Sequence, residues 1–121
     1  MKALVVDDSA VMRKVMMGAL ARAGIAEFGQ ACDGREAVDA VQGGGFGLIL
    51  MDWNMPNMLG IDALRAIRGA GLKTPVIMVT TEAEKSRVIE ALKAGANNYI
   101  IKPFEVDVFV AKVQETLAKA S

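Results

Sequence analysis

The chain has 121 residues, 53% hydrophobic and 23% charged, with fourteen basic residues balancing fourteen acidic ones. That length and composition suit one domain with a packed core and exclude a disordered chain. Balanced charge and a pI near 6.3 argue against a nucleic-acid binder, and no apolar run approaches the ~20 residues of a membrane span.

Met1-Lys2 leads straight into "ALVV" with no signal-peptide architecture. The single cysteine, Cys32, excludes an intrachain disulfide and fits a reducing, cytoplasmic setting. The absence of histidine excludes His-based catalysis, His metal ligands and an internal phosphohistidine.

Taken in chain order, "ALVV" at 3–6 reads as a buried strand, and Met12, Val15, Met16, Ala19 and Leu20 then recur at helical spacing. "EFGQA" at 27–31 is a weaker strand, followed by a helix face of Ala37, Val38 and Val41. "LILM" at 48–51 precedes Ile61, Leu64 and Ile67, and "VIMV" at 76–79 precedes Val88, Ile89 and Leu92. "YII" at 99–101 is the last strand, before Val106, Phe109, Val110, Val113 and Leu117. Gly24, the glycines at 43–45, "GAG" at 69–71 and Gly95 stand where helices end.

Five repeats of strand and helix predict an α/β fold, an open parallel sheet with helices on both faces. Right-handed crossovers make it doubly wound. With no linker or repeat, residues 1–121 are read as one domain with no output domain attached. The eight methionines lie mostly at core spacing and are read as core filling rather than as a flexible binding surface.

In such sheets function gathers at the carboxyl ends of the strands. Those ends carry Asp7-Asp8, Asp52, Thr80-Thr81-Glu82 and Lys102-Pro103. Each has an ordinary reading alone: a helix N-cap, a solvated strand end, a β-branched strand residue, a surface lysine. Together they place three carboxylates on one rim, where like charges repel unless a cation sits among them. Hard oxygen ligands of this kind suit Mg²⁺.

"VVDDS", "MDWNMPNMLG", "VTTEA" and "YIIKPF" together resemble the receiver domain of bacterial two-component response regulators, over essentially the whole chain. "DWNMPNM" and "KPF" look most like its single-domain chemotaxis members. The resemblance implies a strand order of 2-1-3-4-5 and a phosphoacceptor at Asp52, loaded from a histidine kinase. It implies one Mg²⁺ held by Asp7, Asp8, Asp52 and the backbone carbonyl of Asn54. Lys102 would pair with the phosphoryl oxygens, Thr80 would donate its hydroxyl to one of them, and Tyr99 would swing inward from solvent when Thr80 moves. Pro103 corresponds to the family's cis peptide.

Asn54 and Glu82, each two residues past a site residue, are expected to overhang the site and tune dephosphorylation. Lys85, Val88, Tyr99, Val106 and Lys112 are expected to form the partner face. The implied role is a monomeric signalling protein, not a turnover enzyme, that acts on a flagellar motor switch or another downstream protein, with a phosphatase among its partners. Neither nucleic acid nor membrane is expected as a partner.

Leu59 departs from the family's usual aspartate and should remove a helix cap. A phosphorelay intermediate and the receiver of a larger regulator remain alternatives. A haloacid-dehalogenase-like phosphatase is remote, because it wants a second aspartate where Asn54 stands. A flavin-nucleotide carrier would not place two negative charges in its phosphate loop.

Overall fold

The computed structural model describes residues 1–120. These form strands β1 (Lys2–Val6), β2 (Glu27–Ala31), β3 (Leu48–Met51), β4 (Val76–Thr80) and β5 (Asn98–Ile101). They alternate with helices α1 (Ala10–Arg22), α2 (Gly34–Gln42), α3 (Gly60–Gly69), α4 (Lys85–Ala94) and α5 (Val106–Ala120). All strand pairs are parallel, in the order β2-β1-β3-β4-β5.

The central strands are apolar throughout because both of their faces are covered. Ala3, Val5, Leu48, Leu50, Ile77, Val79 and Ile100 face the layer of α1 and α5, where Phe109, Val113, Met16 and Leu20 complete one core. Leu4, Val6, Ile49, Met51, Val76, Met78 and Tyr99 face the other layer, with Ile61, Leu64 and Ile67 of α3. Met16, Met51, Met55 and Met78 are buried within these two layers and Met12, Met17 and Met58 pack against them, so most of the methionines fill core, with Met1 exposed.

β2 lies at one edge and is only partly covered, with Phe28 and Gly29 half-buried. β5 lies at the other edge, where Ile101 is 43% exposed. Arg68 ties the far end of the molecule together. Its guanidinium donates to the carbonyls of Leu72, Thr74 and Gly95 and to the Asn97 side chain.

The sheet ladder runs past the assigned strand ends. Asp7 N–H donates to Ala31 O, Asp52 N–H to Val6 O and Lys102 N–H to Thr80 O, at 2.9–3.1 Å. Three residues of the rim are therefore fixed by the sheet itself.

Candidate functional site at the carboxyl rim

Asp52 follows β3 and is 7% exposed. Its Oδ1 accepts the Trp53 backbone N–H at 2.7 Å, and its Oδ2 accepts Lys102 Nζ at 3.3 Å. The same ammonium donates to Asp7 Oδ2 at 2.7 Å, so Lys102 bridges two carboxylates from the neighbouring strands β1 and β3. Asp7 is buried, and its Oδ1 accepts the Ser9 N–H at 2.9 Å. Asp8 is exposed at the mouth.

The Lys102–Pro103 peptide is cis. Close packing reaches the backbone as well: a Cβ on Gly60 would lie 1.8 Å from the Asp52 carbonyl oxygen, so only glycine fits where α3 begins.

Burial raises the Asp52 carboxyl above the ordinary aspartate range; Lys102 opposes the rise and Asp7 adds to it. For Lys102, burial pulls the ammonium down. The hydrogen bond to Asp7 and the charges of Asp52 and Asp7 outweigh that pull and leave it above the usual lysine value.

Oxygens of Asp7, Asp8 and Asp52 lie within 4.8 Å of one another. That converging set of hard donors, carrying more negative charge than Lys102 neutralises, fits a small divalent cation. Thr80, at the end of β4, is fully buried, and its Oγ1 accepts the Glu82 N–H at 3.3 Å. The rim can therefore hold a divalent ion beside a buried carboxylate that the Lys102 ammonium already pairs.

Residues 3–114 match the model of the response regulator receiver domain. The chain belongs to this family. The receiver is 41% identical over 123 residues to the chemotaxis protein CheY of Pseudomonas aeruginosa, covering 100% of this chain and 99% of that one. It is 42% identical over 120 residues to CheY1 of Helicobacter pylori, with 97% of each chain covered. Among solved structures, CheY4 of Vibrio cholerae is similar at a TM-score of 0.86 and 35% identity, covering 95% of this chain and 97% of that one. The receiver domain of the Francisella response regulator 1452 is similar at a TM-score of 0.90 and 30% identity, covering 99% and 98%. Membership implies a histidine kinase as phosphodonor and a downstream target protein.

Asp7, Asp8, Asp52 and Lys102 come together at the rim, while Thr80 ends β4 with its hydroxyl on the Glu82 backbone. Asn54 is exposed beside them and Glu82 is half-buried.

Two expectations need correction. Tyr99 does not face solvent: it is 5% exposed, and its hydroxyl donates to the Glu82 carbonyl at 2.5 Å. The alternation of β5 puts it in the layer of α3 and α4, where burial, with Glu82 nearby, lifts its phenol to about 12.

The expected partner cluster is also split. Val88 packs into one core and Val106 into the other. Lys112 donates to the Tyr99 carbonyl at 2.7 Å rather than standing as a free basic edge, while Lys85 is exposed. The large apolar side chains exposed on α4, β5 and α5 are Ile89, Leu92, Ile101 and Val108.

Sequence reasoning also missed Arg13. It lies in the first turn of α1, six residues past Asp7, and its Nη1 donates to the Asp7 carbonyl at 2.6 Å, which pins the loop that carries the acids.

Among the described residues, no helix is long and apolar enough to cross a membrane.

Proposed function

We propose that this receiver accepts a phosphoryl group on Asp52 from the phosphohistidine of a kinase, in a Mg²⁺-dependent reaction, and acts in chemotaxis through the flagellar motor switch. The observation that carries the reading is a buried carboxylate held between the Lys102 ammonium and the Asp7-Asp8 pair. In the transfer, an Asp52 oxygen bonds to phosphorus as the phosphorus–nitrogen bond of the donor breaks, and the electron pair returns to the donor imidazole.

Such a reaction asks chiefly for positioning and charge neutralisation. Trp53 N–H fixes one Asp52 oxygen, which leaves the other for attack. Lys102 turns from the carboxylates to the incoming phosphoryl oxygens, and Thr80 donates its hydroxyl to one of them. Asp7, Asp8, Asp52 and the Asn54 carbonyl would hold one Mg²⁺, which when bound supplies charge neutralisation for the phosphoryl oxygens.

Thr80 and Tyr99 both bind the backbone of Glu82. A shift of Thr80 is therefore felt by Tyr99 and by the face of α4, β5 and α5, through which the signal leaves. The chemotaxis assignment is supported by relatives of that name at about 41% identity over the full length.

Incubation with acetyl phosphate and Mg²⁺ tests the reading. The protein should gain one phosphoryl group by mass, and Asp52→Asn should gain none. Uptake that persists in Asp52→Asn means another acceptor.

A further inference from the structure

Helix α4 sends one cationic side chain back over the neighbour of Asp52. The Arg87 guanidinium carbon lies 5.5 Å from the centroid of the Trp53 ring. Its Nε is 3.9 Å from Glu82 Oε1, and its Nη1 donates to Glu90 Oε1 at 3.2 Å. Glu90 is itself held by Arg65, whose Nη2 donates to Oε2 at 2.9 Å. Arg87 is thus braced by an indole and by a carboxylate that has its own anchor, which sets it apart from a freely moving surface arginine.

Glu82 has little freedom except in its side chain. Its N–H is bound to Thr80 Oγ1 and its carbonyl accepts from Tyr99. The carboxylate can pair with Arg87, as observed, or turn to the rim and take a proton from a water approaching the phosphoryl group. Among the described residues, it is not part of the acidic group that converges on Asp52.

We infer that Arg87 is a positioning residue for phosphoryl loss: by holding the Glu82 carboxylate on α4, it lengthens the lifetime of the phosphoryl group on Asp52. This rests on the proposed acceptor role of Asp52. Hydrolysis joins a water oxygen to phosphorus and breaks the bond from phosphorus to the Asp52 oxygen, whose electron pair returns to the carboxylate. One water proton stays on the phosphate and the other passes to a base. Glu82 paired with Arg87 is a poor base for that proton and stands away from the water; Glu82 released from Arg87 is neither.

The test loads wild type, Arg87→Gln and Arg87→Lys with acetyl phosphate and Mg²⁺, removes the donor, and follows loss of the phosphoryl mass. Arg87→Gln should shorten the lifetime about two- to fivefold, the scale of one exposed ion pair. Arg87→Lys should restore part of it, since an ammonium still pairs with Glu82 but lacks the planar seat on Trp53. Glu82→Ala should lengthen the lifetime, and adding Arg87→Gln to it should change nothing further. Equal lifetimes in wild type and Arg87→Gln overturn the inference. So does an undiminished Arg87→Gln effect in the Glu82→Ala background, because a general loosening of α4 would act without Glu82. Absence of any phosphoryl uptake by wild type is a separate outcome, seen before any decay is timed, and it removes the acceptor reading and this inference together.

Discussion

At Asp52 the protein keeps a negative charge where burial disfavours it, with the carboxyl held above its ordinary range. Between the unfolded aspartate value and that raised value, the fold binds a proton that the unfolded chain has released. Stability therefore falls as pH rises through this window and stays lowered above it. Asp52→Asn removes the charge, and its amide oxygen can still accept the Trp53 N–H. Lys102 keeps its 2.7 Å bond to Asp7 in the variant. We expect Asp52→Asn to melt a few degrees above wild type at neutral pH, with the gain vanishing in acid. Thermal melts across pH check this; an equal or lower neutral melting temperature contradicts it. The acids, Thr80 and Lys102 were legible in the sequence because each stands at the carboxyl end of an apolar strand. Arg13 and Arg87 were not, because each acts on another element from a helix face where charged residues are ordinary. The inward setting of Tyr99 depended on which layer its strand parity faced, and the apolar run "YII" is too short to decide that.

The strands were legible to within one residue, since apolar runs set them, and the five helices by the period of their buried faces, which does not mark where they end. The weak signal of β2 reflects faces that the helix layers cover only partly, with Phe28 and Gly29 half-buried and Gln30 exposed. Helix starts differ more than the periodicity shows. Ser9 and Asp33 cap α1 and α2 with side-chain hydrogen bonds, whereas Leu59 and Glu84 give α3 and α4 none. Leu59 has extended backbone and is 40% exposed, so Leu59→Ser can add a cap at little cost in burial. A gain of about 1 kcal/mol, roughly 4 °C in melting temperature, is expected; an unchanged melt would show that the Ser hydroxyl finds no N–H. In α4 only Ala91 is fully buried, and Lys85 and Arg87 place positive charge at the positive end of its dipole. Its amides should exchange with deuterium faster than those of α1 or α5, as exchange measured by mass on peptides of each helix will show. Comparable protection in α4 would mean that Arg87 and Glu90 anchor it more firmly than its burial suggests.

Across the whole molecule, charge is balanced in number but not in place. Three carboxylates gather at one end of the sheet against the single ammonium of Lys102. This concentration costs stability, and a bound cation recovers it only in the folded state, because the unfolded chain leaves Asp52 45 residues away from Asp7. A ligand at 100 times its dissociation constant adds about 2.7 kcal/mol, which for a domain of this size is on the order of 10 °C. Mg²⁺ should therefore raise the melting temperature, whereas NaCl at equal ionic strength screens the same charges and should raise it far less. Asp8 is the variant to use, since it is exposed and makes no core contact, unlike Asp7 and Asp52. Asp8→Asn should melt slightly higher than wild type without metal, because one repelling charge is gone, and should respond little to Mg²⁺. Trp53 adjoins Asp52 and is the only tryptophan, so its emission should change on Mg²⁺ addition in wild type and stay flat in Asp8→Asn. An equal thermal response to Mg²⁺ in both proteins would remove Asp8 from the cation site, and an equal response of wild type to NaCl would remove the site itself.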